Sequence, residues 1–483
     1  LGDDPVLQAT LFLELARIYR NLGILDEADR LSARALLIRR EWSPGTVEYA
    51  DALGFRGIVL RDEGRIDLAI SSLEEAIELR EALVPPPDTG LATLQATLAW
   101  EVRAAGDYDR AGELFSQALE VQRTVLGTDH PAVATSLLGL ASTFHDQGSF
   151  DEAEALFRTA LEGGAGQANP VAAAALVNLG MIRRLREQFP ESEALLRSGL
   201  EMREALYDTD HPDVLEAREQ WAAALAALGR FHEAEATLTR NLNLSISVLG
   251  EAHSRTRNSR EALSNVDWDL GRLERALART DSVAAAKNRA HGGDHPGTVY
   301  TLISMAEVLL EMGDVPAART KLDEAVSMAE RLEGTEGVYG ALARNVAARI
   351  ALQAGSVAEA DSLVTAALAL AGERLRPDHR YVLEIQRVRA RVHLGQGRPR
   401  DAEAVLQDVL EHERRVRPRP HPRIGITLLD LGDAKMALGD AVAAGAAYRE
   451  ARAEFSELPE SHPLVVRARD GAADADARSR PPS

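Results

Sequence analysis

The sequence predicts an all-α solenoid of about eleven helix pairs closed by a capping helix, and three periodic observations carry that prediction. A residue suited to a tight turn returns at a near-constant interval: Gly23, Gly64, Gly106, Gly148, then Glu187 in place of glycine, Gly229, Gly271, Gly313, Gly355, Gly397 and Gly439. The steps are 41, 42, 42 and 39 residues, followed by six of 42. Seven positions before each turn stands a small residue: Ala16, Gly57, Ala99, Ala141, Gly180, Ala222, Ser264, Ala306, Ala348, Ala390 and Gly432. Five positions after each turn stands another: Ala28, Ala69, Ala111, Ala153, Ser192, Ala234, Ala276, Ala318, Ala360, Ala402 and Ala444. Two antiparallel helices approach closely only where the side chains at their crossing lack bulk, so these residues mark a helix pair around every turn.

Composition agrees. Hydrophobic residues make up 45% of the chain but aromatic ones only 4%, and abundant Ala, Leu, Glu and Arg favour helices over strands. The first helix of many pairs opens on a His-Pro signal, as in Asp129-His130-Pro131, Asp210-His211-Pro212, Asp294-His295-Pro296, Pro420-His421-Pro422 and Ser461-His462-Pro463, with Asn169-Pro170 and His253-Ser254 as variants. Proline fits the first helical position, where its missing N–H is not needed, and the polar residue before it can cap. The second helix opens on acidic residues such as Asp26-Glu27 and Asp151-Glu152, which the positive end of the helix dipole favours. The array is expected to run without a boundary over residues 1–470. A last helix after Pro463 caps it, and residues 471–483, small, polar and ending in Pro-Pro-Ser, are expected to form a disordered tail.

The 42-residue period with His-Pro linkers resembles the tetratricopeptide repeat in its kinesin-light-chain variety, a form common in bacterial proteins, over nearly the whole chain. The resemblance implies a right-handed superhelix and a scaffold that binds a protein or peptide segment in its concave groove, lined by the first helix of each pair. In the kinesin-light-chain family an Asn two positions before the small residue clamps the backbone of bound peptides. Only Asn178 matches, and Gln220 is retained beside it as a candidate. The other repeats carry Glu14, Phe55, Thr97, Gly139, Ala262, Ser304, Val346, Val388 and Asp430, so most of that clamp is missing.

Residues four apart share a helix face. Four positions after the small residue the first five repeats carry Arg20, Arg61, Arg103, His145 and Arg184, and the later ones Ala226, Trp268, Leu310, Leu352, Leu394 and Met436. The basic ladder is a candidate partner-binding surface for acidic or phosphorylated segments, because guanidinium forks pair bidentately with carboxylates and phosphates. The alternative is that these arginines solvate a face or pair with neighbouring acids. The apolar run from Leu310 to Met436 reads as inter-helix core.

A net charge of −20 argues against general binding to nucleic acid or a membrane surface, both polyanionic. There is no cysteine, hence no disulfide and no thiolate site, and no apolar run reaches the ~18 residues of a membrane span. No phosphate-cradling Gly-Lys loop, Gly-x-Ser-x-Gly elbow, zinc helix or kinase loop is present, so no catalytic residue and no cofactor is assigned. Gly163-Gly164-Ala165-Gly166 reads as a loop. The linker histidines His130, His211, His253, His295, His379, His421 and His462 lie at least one repeat apart, so they read as caps and no metal is assigned. Arg414, Arg415, Arg417, Arg419 and Arg423 read as a solvated linker. The chain begins Leu1-Gly2-Asp3-Asp4-Pro5, which leads us to expect native sequence upstream. The segment Leu1 to Arg40 resembles the first repeat of arrays that follow the kinase domain and membrane anchor of bacterial serine/threonine protein kinases. A regulatory arm of such a kinase, and the sensing array of a transcription regulator, are therefore the alternatives to a free scaffold. The compartment, cytoplasm or the exterior face of an anchored protein, is left open.

Overall fold

The computed structural model describes residues 4–22, 24–163, 169–291, 294–332 and 337–479. Gly23 and most of the Gly163–Gly166 run lie outside these. The described residues form helices and no strand. The first helices of the pairs are α1 (Pro5–Asn21), α3 (Val47–Asp62), α5 (Thr89–Ala104), α7 (Pro131–Asp146), α9 (Pro170–Leu185), α11 (Pro212–Ala227), α13 (Ser254–Asp269), α15 (Pro296–Glu311), α17 (Val338–Gln353), α19 (Arg380–Gly395) and α21 (Pro422–Ala437). Their partners are α2 (Leu25–Trp42), α4 (Ile66–Leu83), α6 (Tyr108–Leu126), α8 (Phe150–Glu162), α10 (Phe189–Leu206), α12 (Phe231–Leu249), α14 (Leu273–His291), α16 (Val315–Arg331), α18 (Val357–Arg374), α20 (Pro399–Val416) and α22 (Ala441–Glu454), with α23 (Pro463–Ser479) last.

Each described turn residue ends its first helix in the left-handed region, from φ 72° at Gly271 to 91° at Gly106, with Glu187 at φ 58°. The amide after it reaches back five residues, as from Arg65 to the Leu60 carbonyl at 2.9 Å and from Arg272 to Asp267 at 2.8 Å, which satisfies carbonyls the helix end would leave open. The small residues sit where the periodicity puts them. Ala16, Ala99, Ala222, Ala306 and Ala390 are fully buried, as are Ala28, Ala111, Ala234 and Ala402. A Cβ on Gly57 would lie 2.7 Å from Leu73 Cγ, and one on Gly432 would lie 2.5 Å from the Tyr448 ring, so glycine is what lets those helices cross.

All seven linker histidines cap. Nδ1 of His130, His211, His253, His295, His379, His421 and His462 accepts the backbone N–H two residues ahead at 3.0–3.2 Å. An accepting Nδ1 requires a neutral ring with its proton on Nε2.

Two expectations are corrected. Helix α23 runs to Ser479 and buries Ala475, so residues 471–479 continue the cap instead of fraying: alanines placed among Asp and Arg provide a helical face for α22. The described chain also divides into two compact units, Leu1–Ile182 with Ser198–Leu206, and Arg183–Arg197 with Tyr207–Ser483. The division falls in the α9–α10 pair, which has the shortened 39-residue step and a glutamate where the other turns carry glycine. Among the described residues no helix is long and apolar enough to cross a membrane.

Within each unit, first helices of neighbouring pairs touch one another, as α3 with α5, α5 with α7, α15 with α17, α17 with α19 and α19 with α21. Stacking of first helix on first helix places them on the inner side of the bend. In the second unit the bend brings distant pairs into contact. His412 Nε2 meets Glu187 Oε2 at 3.0 Å, 225 residues away, and His421 Nε2 meets the Ala227 carbonyl at 3.3 Å, 194 residues away. Arg415 donates to His412 Nδ1 at 2.8 Å, so the Nε2 proton points at Glu187. The turn at Gly271 lies against His462, whose ring would be 2.1 Å from a Cβ there.

Gly271 and Gly397 share φ 72°, but nothing stands within 4 Å of a Cβ on Gly397. Alanine at Gly397 should cost about 1–2 kcal/mol of backbone strain, and alanine at Gly271 about 1–3 kcal/mol more from overpacking. Denaturant midpoints measured side by side decide this: equal losses would mean the His462 contact contributes nothing.

Burial, then the Arg417 and Arg423 charges, push the His421 imidazole down to about 2 from 6.5. The unfolded ring takes up a proton below pH 6.5 and the folded ring does not. Stability present above pH 6.5 is therefore lost as pH falls, at about 1.4 kcal/mol per pH unit. Between pH 7.5 and 5.5 the wild type should lose more stability than His421→Asn, which keeps a capping oxygen that does not titrate. Parallel losses would show that the folded ring accepts protons freely.

Candidate functional site

The inner, first-helix face carries the candidate residues, and in the first unit its basic ladder is already engaged. Arg20 Nε meets Asp62 Oδ2 at 2.5 Å, and Arg103 Nη2 meets Asp146 Oδ2 at 2.8 Å. Asp62 and Asp146 stand five positions after their own small residues, so each arginine pairs with an acid of the next repeat. Arg61 holds its neighbour Asp62 at 2.8 Å and approaches Glu101 of the next repeat at 3.7 Å. Burial raises the Glu101 carboxyl, and Arg61 offsets this in part. His145 sits 3.5 Å from Asp146, with its ring edge toward Phe150 at 5.5 Å. These half-buried pairs are worth up to about 1 kcal/mol each, and they tie repeat to repeat.

The amide candidates are engaged too. Asn178 Nδ2 donates to the Ala174 carbonyl of its own helix at 2.9 Å, and Gln220 Oε1 accepts from Arg184 Nη2 at 3.1 Å. The position two before the small residue, expected to face the groove, is buried in several repeats, at Phe55, Val346, Val388 and Asp430. Leu310 lies in the core, and Leu352, Leu394 and Met436 pack against it, as inter-helix residues do. Trp268 spans to the next repeat through Nε1–H to Glu311 at 2.7 Å.

In the second unit the inner face is a mosaic of charges that the ladder position does not reveal. Directly after the small residue, four successive repeats carry Glu307, Arg349, Arg391 and Asp433. Arg349 Nη1 meets Glu307 at 3.0 Å, Arg391 Nη2 meets Asp430 at 2.9 Å, and Arg467 reaches Asp430 at 3.2 Å and also pairs with Asp433. Burial raises the Glu307 carboxyl, with Glu384 adding to it and Arg349 opposing. Burial alone would raise Asp430 as well, but Arg391, Arg467 and Arg387 outweigh it and lower it. Burial lifts Glu219 to about 7 and Asp269 to about 6.

Against this balanced background four arginines of the second unit each have an unused donor. Arg184 Nε, Arg257 Nε, Arg387 Nε and Arg417 Nε are buried with no hydrogen-bond partner. Burial and then Arg380 lower Arg184 to about 10, and burial and then Arg423 lower Arg417 to about 10. Arg417, expected in a solvated linker, is only 9% exposed, and its guanidinium lies 5.1 Å over the Phe189 ring. The winding of the unit covers a linker that looks exposed in sequence. Arg414 and Arg419 do remain half-exposed, in ion pairs with Glu450. Among the described residues no group of three or more acidic or histidine side chains is arranged to hold a metal ion.

Tetratricopeptide repeat families match residues 7–82, 98–163 and 213–281, residues 172–213, and residues 387–459. Several solved structures are similar. The apo form of the quorum sensor NprR from B. thuringiensis is 12% identical, covering 67% of this chain and 88% of that one with a TM-score of 0.55. A putative kinesin light chain of Podosopora anserina with nearly identical repeats is 22% identical over 42% of this chain and 98% of that one, at 0.36. BtubC from P. vanneervenii is 21% identical over 47% and 92%, at 0.40. No curated protein matches the chain. At these identities the likeness is one of fold. The matched repeat segments span more than half of the sequence, and the chain belongs to the tetratricopeptide repeat family.

Proposed function

We propose that the chain is a protein-interaction scaffold whose second unit receives an extended acidic or phosphorylated partner segment on its inner face. The observation that supports this is the set of unused guanidinium donors at Arg184, Arg257 and Arg387, which lie on the first helices α9, α13 and α19. A buried donor left without an acceptor costs about 1–3 kcal/mol, and a carboxylate or phosphate oxygen placed against the fork recovers it. The ladder of Arg20, Arg61 and Arg103 is the weaker candidate: Arg103 Nε is also unused, but an incoming anion there would have to displace Asp62 or Asp146. The net charge of −20 repels an acidic ligand at long range, so binding would report the local cluster and not bulk attraction.

The test is fluorescence anisotropy with a labelled Glu-rich peptide and its phosphoserine counterpart. Arg387→Gln and Arg387→Glu should weaken binding progressively, the latter by at least tenfold, while Arg20→Gln changes it little. Affinity indifferent to both Arg387 variants, in proteins whose circular dichroism is unchanged, would reject this site.

A further inference from the structure

Every turn position of the array carries glycine except one, which carries Glu187. Among the described residues Glu187 is the one non-glycine residue at positive φ, 58°, a backbone that a residue with a Cβ adopts only under strain. Glycine would remove that strain. What the glutamate supplies instead is a side chain, whose Oε2 lies 3.0 Å from His412 Nε2. Both residues are only 9% exposed, and Arg415 fixes the ring by donating to Nδ1 at 2.8 Å.

That contact stands at one end of a seam between two windings of the second unit. Beside it the Arg417 guanidinium lies over the Phe189 ring. One turn further along, the Ala227 carbonyl meets His421, and a Cβ on Gly229 would lie 3.5 Å from the Pro420 carbonyl oxygen. At the next turn Gly271 lies against His462, and at the one after that nothing stands within 4 Å of a Cβ on Gly313. The seam thus runs over three consecutive turns and stops.

It is weaker than the interfaces between neighbouring repeats. Those are filled by Ala, Leu and Val in continuous clusters, whereas at the seam Glu187 Oε1 and Arg417 Nε are buried with no hydrogen-bond partner. Unpaired polar atoms and a strained turn both subtract from the contact, so the seam parts at a lower cost than a repeat unfolds. Arg184 stands three residues before Glu187. After burial, the largest influence on its guanidinium is the Arg380 charge at the start of α19, so α19 comes close to α9 across the inner face. The Glu187 end of the seam is therefore a side entrance beside the unused donor of Arg184.

We propose that Glu187 and His412 form a latch on this seam: closed, it shuts the inner face of the second unit from the side, and its release admits a partner segment laterally. The part played in ligand entry rests on the anion-binding reading; the opening of the seam does not.

The chain has no cysteine, so nitroxide labels attach only where cysteine is introduced. Ala194→Cys on α10 and Ala404→Cys on α20, both at exposed positions, place labels on the two helices that the latch joins, and double electron-electron resonance reads their separation in the full chain. A single distance is expected with Glu187 and His412 in place. Glu187→Gly and His412→Ala should each add a second, longer one, while Glu187→Gln, whose amide oxygen still accepts the Nε2 proton, keeps the single distance. Glycine suits the turn, so Glu187→Gly should retain the helix content of the wild type by circular dichroism. With the labelled Glu-rich peptide, Glu187→Gly should raise the association and dissociation rates together, by about tenfold, as removal of a gate does; loss of a ligand contact would raise dissociation alone. The proposal is overturned by one unchanged distance in both Glu187→Gly and His412→Ala, or by peptide rates that do not rise together. A longer distance with no peptide bound by any variant would reject the anion-binding reading and leave the latch standing.

Discussion

The close crossing of two helices around a left-handed turn is the constraint on which everything else in this protein depends. Ala16 against Ala28, Ala222 against Ala234 and Ala390 against Ala402 are all fully buried, and where glycine replaces alanine a neighbouring side chain occupies the space, as Tyr448 does beside Gly432. Small residues on both helices bring the backbones together, and the turn glycine between them lets the chain reverse without Cβ strain. Repetition of this unit sets a fixed small rotation from one pair to the next, and the bend of each stack is the sum of those rotations.

From that bend follows the distribution of charge. Placing the first helices on the inside crowds their polar side chains, and crowding separates two outcomes. Where opposite charges recur one repeat apart, as Arg20 with Asp62 or Glu307 with Arg349, they pair and stitch the stack. Where the bend covers a charge without delivering an acceptor to each of its donors, as at Arg417 Nε, part of the cost of burying it remains unanswered within the chain. The acidic groups respond in the same way: burial lifts Glu219 and Asp269 toward neutrality, while Asp430, surrounded by three arginines, stays ionised.

Much of this was legible in the sequence because it is local or strictly periodic. Helix pairs, turn positions, histidine caps and the small-residue crossings all depend on residues within about a dozen positions of one another. The Arg ladder was legible as a pattern, but its partners were not, since Asp62 and Asp146 lie on another repeat and the register linking position four to position five of the next pair emerges only on stacking. The run of Glu307, Arg349, Arg391 and Asp433 carried a readable signal at 42-residue spacing. The tail was misread because Gly471 and the Asp-rich stretch after it have low helix propensity, which packing of Ala475 overrides.

What the sequence determined by itself is the repeat: where each helix starts and stops, which residues cross, and which family the chain belongs to, because capping, turn chemistry and packing at the crossing act over short separations. Tertiary structure alone decided which repeats meet again. His421 against Ala227 and His412 against Glu187 join residues about 200 positions apart, and the division into two units falls where one step is three residues short of 42. Both depend on accumulated rotation, a sum over many interfaces in which no single residue carries a signal.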